Sequence, residues 1–310
     1  MLVVPANAGT HNHRRGLLWK VAATAPKLDG TAYGSPRSRG RRSRVSGNRV
    51  AKRFPVCEIG VMKSAANKTI RPIPASSIAS RVEAIDWTQA TADLDAQGCA
   101  ILKGLLSADE CRALAALYPD DSRFRSRVVM GRHGFGRGEY KYFSYPLPEV
   151  IAELRPALYA QLRDVANRWN EAMGIDIRYP ESHEAFLRRC HAAGQARPTP
   201  LLLQYGAGDY NCLHQDLYGE HVFPLQVAIL LSKPGRDFTG GEFVLTEQRP
   251  RMQSRPEVVP LRQGDAVIFA VRQRPVQDRR GSHRVTLRHG VSRVRDGLRL
   301  ALGVIFHDAA

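Results

Sequence analysis

The chain has no CxxC pair, no apolar run of roughly 18 residues, few acids for its bases, and no internal repeat, heptad array or collagen period. Without a long apolar run a helical membrane span is excluded, and no membrane partner is expected. Its five cysteines, Cys57, Cys99, Cys111, Cys190 and Cys212, are odd in number and widely spaced. That spacing argues against a structural zinc site and a disulfide framework, and predicts free thiols in the reducing cytoplasm. What remains is an ordinary globular composition of 310 residues, 43% hydrophobic and 24% charged, with room for one large domain or two smaller ones.

The shortage of acids is uneven. Against 46 Lys and Arg stand 29 Asp and Glu, a formal charge of +17. Residues 1–61 hold 12 bases and 2 acids, and the other 249 residues hold 34 and 27. The first segment crowds Arg37, Arg39, Arg41, Arg42 and Arg44 together and carries no apolar period. Too little apolar surface is available there to offset backbone ordering, so residues 1–61 are expected to be disordered. An Arg-rich transit peptide and a basic nucleic-acid-binding arm both fit that composition. The runs Pro5–Gly16 and Gly34–Arg42 also resemble translated bacterial interspersed repeats, which implies Met62 as the native start. Residues 62–80, rich in Pro and Ser from Ile70 onward, read as a linker to a domain spanning 81–310.

Within that domain, helical text comes first. A short helical stretch after Asp86 leads into the apolar strand Gly98–Leu106. Ser107 and Glu110 form a capping box before a helix carrying Leu114 and Leu117. Ile151, Leu154, Leu158, Leu162, Val165 and Trp169 recur at helical spacing over Pro148–Met173, a core-packing stripe. After about residue 198 the period changes to two. Seven β-rich runs, LLLQYG, FPLQVAILL, GEFVLTE, EVVPL, DAVIFAV, HGVSRV and LRLALGVIF, alternate with Gly, Pro and Asp. The expectation is an α+β protein: a double-stranded β-helix, or jelly roll, at about 198–310, buttressed by N-terminal helices.

His214-Gln215-Asp216 lies among these strands. Residues i and i+2 of an extended chain point to one side, so His214 and Asp216 can grip one ion. A third ligand must come from another strand, and His283 and His289 are the candidates. His289 opens a strand-like run and precedes Arg299 by ten residues, whereas His283 sits in the loop-like RRGSHRV. Two histidines and one carboxylate make the facial triad of non-haem Fe(II) oxygenases. Arg299 interrupts an apolar strand, where an unpaired guanidinium is costly.

With Tyr205 and Gly208 in YGAGDYNCLHQD, the turn Gly240-Gly241-Glu242-Phe243, Gly264-Asp265 and HGVSRVRDGLR, the chain resembles the Fe(II)- and 2-oxoglutarate-dependent dioxygenases of the prolyl-hydroxylase-like type. More narrowly, it resembles a bacterial oxygenase group proposed to demethylate damaged nucleic acids oxidatively. The resemblance implies Fe(II) on His214, Asp216 and His289, with 2-oxoglutarate and O₂ as co-substrates. It implies Arg299 on the far carboxylate, where a planar fork pairs bidentately, and Tyr205 as a further contact. Such enzymes often carry a Tyr after the HxD strand. Leu230 stands near that place here, leaving Gln226 or Ser292 to substitute.

Damaged nucleic acid is the expected partner, with a prolyl side chain or a small metabolite as alternatives. The segment Gly131–Pro146 interleaves Arg132, Arg137 and Lys141 with Phe135, Tyr140, Tyr142, Phe143 and Tyr145. It reads either as a flexible lip that stacks on bases and pairs with phosphates, or as a loop packed under the barrel. Arg132, Phe135, Arg137, Tyr140 and Tyr142 are the expected substrate contacts. Arg272–Arg274 and Arg279–Arg280 read as solvated loops, His221 as a surface or supporting residue, and Glu242 as structural or substrate-facing. A zinc hydrolase would use the same three ligands without needing Arg299, and a non-catalytic jelly roll or basic-arm binder would leave the triad unexplained.

Overall fold

The computed structural model describes residues 77–310 apart from Tyr218, Pro250 and Arg280. The expectations for residues 1–61, and for the linker up to residue 76, lie outside the described residues. Ser77 caps a helix, α1 (Ile78–Glu83), by accepting from the Ser80 amide, so residues 78–80 are helix and not linker. Ile78 and Val82 anchor it in the core.

The other helices are α2 (Trp87–Gln97), α3 (Ala108–Ala115), α4 (Glu149–Ala172) and α5 (His183–Ala192). The expected capping box of α3 forms between Ser107 and Glu110. In α4 the six stripe residues are all buried, as their spacing predicts. No helix among the described residues is long and apolar enough to cross a membrane.

The strands are β1 (Cys99–Leu102), β2 (Phe124–Val129), β3 (Gly136–Arg137), β4 (Glu139–Phe143), β5 (Leu201–Tyr205), β6 (Tyr210–His214), β7 (Leu225–Leu230) and β8 (Phe238–Gly240). They continue with β9 (Phe243–Gln248), β10 (Arg255–Val259), β11 (Ala266–Ala270), β12 (Gln273–Asp278), β13 (Gly281–Val291), β14 (Val294–Gly297) and β15 (Arg299–Val304). All seven expected runs contribute strands. The chain alternates between two sheets, ordered β1-β11-β7-β15-β5-β4-β2 and β10-β9-β13-β6-β3, with β12 also on β13 and a β8–β14 ribbon beside them. This alternation of antiparallel strands is the jelly roll.

Parity along the first sheet decides what faces the site. On β15 and just beyond it, Leu300, Leu302 and Val304 join the core with α4, while Arg299, Ala301, Gly303 and Ile305 line a cavity between the sheets. Because both faces are covered, LRLALGVIF reads as one apolar run. On β5, Leu202 faces the core and Leu201, Leu203 and Tyr205 face the cavity.

Three local expectations are corrected. Within Gly131–Pro146, Glu139–Phe143 is neither a flexible lip nor a packed loop but β4, hydrogen-bonded between β2 and β5. His283 lies on β13 opposite Val276, not in a loop. Arg274 lies on β12, only 2% exposed; its Nε donates to Glu247 at 3.1 Å and its Nη groups reach the Asp95 and Ala96 carbonyls at the end of α2. Helix end and carboxylate together hold a charge that its polar neighbours suggest is solvated. Arg272 and Arg279 are exposed as expected.

Candidate active site

β6 and β13 pair antiparallel with His214 directly opposite His289, so the sheet itself joins the two histidines. Asp216 lies two residues past the end of β6, with its carboxylate oxygens 3.4 Å from Nε2 of His214 and 3.4 Å from Nε2 of His289. One ligand atom from each lies within 4.8 Å of the others, close enough to share one ion. Gln215 between them also borders the cavity, and its Nε2 donates to the Leu287 carbonyl at 2.7 Å. That bond ties the chain to β13 where backbone pairing has stopped. Nothing in the HxD pattern marks the middle residue for this.

The electrostatics suit a cation. Burial pushes the Asp216 carboxyl upward, but the two histidines outweigh it and hold the group far below the usual carboxylate range. Burial opposes a charge on His214, yet Asp216 beside it raises its pKa. Burial lowers that of His289, and the His214 charge adds to the effect. His214 Nδ1 lies 2.8 Å from the Cys212 carbonyl. The tautomer with its proton on Nδ1 leaves Nε2 free for a metal. Phe269 and Phe243 pack on His289, with ring centroids 4.5 and 6.1 Å away.

The triad opens into a cavity of about 230 Å³. Arg299 lines it, 3% exposed, with Nε and Nη1 lacking any hydrogen-bond partner. Burial depresses its pKa. Gln226 lines the same cavity, 3% exposed, with Nε2 equally unpartnered. Tyr205 is fully buried in its wall; its ring stacks 5.5 Å from the Arg299 guanidinium, and its hydroxyl accepts from Asn211 at 3.4 Å. Phe243, from the Gly240–Phe243 motif, also lines it, as do Asn211 and Phe269, which motif reading does not single out.

Of the remaining expected residues, Tyr140, Tyr142 and Phe135 reach the lining, and Phe135 is 43% exposed at the rim. Tyr140 and Tyr142 pack edge to face at 5.4 Å, with Arg125 over the Tyr142 ring at 4.5 Å. Arg132 is exposed and absent from the lining, and Arg137 is an exposed partner of Asp209 at 3.8 Å. Ser292 does not reach the lining either: its hydroxyl donates to Glu242 and accepts from the Glu242 amide at 3.0 Å. His221 sits half-buried in the loop after Asp216, its amide donating to Gln195.

Residues 138–309, more than half of the chain, match the model of a family described as an oxygenase catalysing oxidative methylation of damaged DNA. The chain belongs to this oxygenase family. The oxygenase is 50% identical over 191 residues to an uncharacterized protein of Mycobacterium tuberculosis, covering 61% of this chain and 82% of that one. It is also similar to a solved prolyl-4-hydroxylase of Pseudomonas putida, at 17% identity and TM-score 0.44 over 72% of this chain and 99% of the other. A 2OG-Fe(II) oxygenase family oxidoreductase of Burkholderia pseudomallei matches at 18% identity and TM-score 0.42, over 73% and 94% of the two chains.

Proposed function

We propose that this oxygenase uses Fe(II) and 2-oxoglutarate to hydroxylate a C–H bond on an alkylated base of damaged nucleic acid. The observation that carries the reading is Arg299: a buried guanidinium, unpartnered at Nε and Nη1, on the same cavity as the triad. A buried charge without a partner is costly, so the cavity calls for an anion. A diacid chelating the metal at one end and meeting Arg299 at the other satisfies both groups. A zinc hydrolase leaves Arg299 without work.

His214, Asp216 and His289 would hold Fe(II), the neutral imidazoles and one carboxylate forming a donor set suited to it. Bound iron and 2-oxoglutarate supply oxidising power from O₂, with the co-substrate leaving as succinate and CO₂. The chain's own residues orient and exclude. Arg299 and Gln226 fix the far carboxylate, Tyr205 walls it in, and Phe243 and Phe269 keep water from the iron side of His289. Hydroxylation of an N-methyl group gives a hemiaminal that releases formaldehyde and the free amine.

For the substrate, support comes from the family's description and from the rim, where exposed Phe135 gives a flat surface near Arg132 and Arg137. A base must arrive unstacked, from a single strand or by flipping. The free thiols of Cys99, Cys111, Cys190 and Cys212 accord with a cytoplasmic setting. Anaerobic addition of Fe(II) and 2-oxoglutarate should produce the weak visible charge-transfer band of the chelate. Methylated single-stranded oligonucleotide should then stimulate succinate and formaldehyde release more than a proline-rich peptide, in a salt-sensitive manner. No band would end the co-substrate reading. Stimulation by peptide alone would end the nucleic-acid one.

A further inference from the structure

A second cavity, of about 270 Å³, lies behind the first. Leu230, Phe238, Thr239, Gly241 and Glu242 contribute to its wall, and Arg299 and Phe243 line both cavities. Arg299 is therefore a partition with space on either side. Three features keep it so. Leu230 gives the second cavity an aliphatic wall, smaller than an aromatic ring would make it. Gly241, at φ +64°, lets the arginine stem lie close against the backbone; a Cβ there would stand 2.9 Å from Arg299 Cδ and 2.9 Å from Val294 Cγ2. Glu242 brings a carboxylate to the far side, anchored by the Ser292 hydroxyl.

Glu242 decides what the second cavity can take. An anion would be repelled, whereas the Arg299 guanidinium would be welcomed. Retreat of the guanidinium towards Glu242 lengthens the first cavity. One added C–C bond needs about 1.5 Å, little for a space of about 270 Å³. We infer that the co-substrate pocket continues past Arg299, so that the enzyme binds a 2-oxo diacid one carbon longer than 2-oxoglutarate as well as 2-oxoglutarate itself. The inference rests on the proposed reading of the first cavity as the 2-oxoglutarate site.

The test is calorimetric binding to the Mn(II)-loaded protein, which reads affinity without turnover. In the parent protein, 2-oxoadipate should bind within about tenfold of 2-oxoglutarate, a gap of one decade in Kd. Thr239→Trp, at an exposed position on the second cavity, should leave 2-oxoglutarate within about threefold and weaken 2-oxoadipate by about tenfold or more. Leu230→Phe, which fills the cavity from inside, should repeat that pattern; melting curves establish that each variant is folded. A parent Kd for 2-oxoadipate more than about a hundredfold above that for 2-oxoglutarate overturns the inference and leaves the site reading intact. So does equal weakening of both acids in the Thr239 variant. Failure of both acids to bind the parent overturns the site reading, and this inference with it.

Discussion

Among the described residues three arginines are almost fully buried, and comparing them separates structure from function. Arg155 donates to the Ile305 carbonyl and to Asp308, at 2.9 Å each, and Arg274 is held by Glu247 and the end of α2. Arg299 alone of the three leaves Nε and Nη1 unmet. Its importance is legible in the sequence, because one charge inside LRLALGVIF needs a partner and no acid accompanies it. Gln226 is legible for the same reason inside FPLQVAILL. Ser292 looks equally suitable as text, but its hydroxyl goes to Glu242, fifty positions away in sequence, which no local pattern reveals. Replacing Arg299 by Ala should weaken 2-oxoglutarate by about 10- to 150-fold, the equivalent of ~1.5–3 kcal/mol for a charge-assisted hydrogen bond. Metal affinity should be unchanged, and the melting temperature of the free protein should not fall, since an unpaired buried charge is removed. Gln226→Leu should cost about fivefold in the same titration, as a neutral hydrogen bond of ~1 kcal/mol implies. Unaltered 2-oxoglutarate binding in the Arg299 variant would remove that side chain from the site.

At the level of elements, the strands that a reader can find are those buried on both faces or strictly alternating. β11 is a continuous apolar run, β7 and β15 are apolar but for Gln226 and Arg299, and α4 keeps its stripe through an internal Pro156. β4 escapes because EYKYF mixes charge with aromatics between glycine-rich flanks, as mobile segments do. Its alternation is real: Tyr140 and Tyr142 face the cavity, while Phe143 joins the main core and Lys141 is buried against the Tyr118 carbonyl and Asp121. β12 escapes because its arginine finds Glu247 only after folding. That ion pair should be strongly structural. Arg274→Met leaves Glu247 with the more distant Arg249 and Arg255, at 3.7 and 3.8 Å, and uncaps α2. The expected loss is about 3 kcal/mol in urea unfolding, typical of breaking one side of a buried pair. Combining it with Glu247→Leu should recover most of that loss, because no charge is then stranded. A single variant as stable as the parent would show the pair to be idle.

Across the whole molecule, α4, α5, the first sheet and the C-terminal segment meet around a buried polar knot whose charge state depends on pH. His183 lies on α5 with Nε2 2.8 Å from the Phe306 carbonyl; His307 is fully buried, its Nδ1 accepting from the Phe223 amide at 3.3 Å. Burial, with Arg155 adding to it, lowers both pKa values from 6.5 to about 4. The fold therefore holds these imidazoles neutral in a range where the unfolded chain protonates them. Between pH 6.5 and 4 the unfolded state binds more protons, so stability must fall as pH falls through that window and level off beneath it. A shift of this size is worth about 3 kcal/mol for one histidine, by ~1.4 kcal/mol per unit. The two share Arg155 and will not simply add. Urea unfolding with a chelator present, so that metal release does not contribute, should show this loss as pH is lowered from 7.5 to 4. His183→Gln keeps an amide donor for the Phe306 carbonyl but cannot titrate, and it should remove about half of the pH dependence in that window. Stability that stays flat from pH 7 to 4.5 in the parent would mean that the knot opens to water and lets both histidines charge freely.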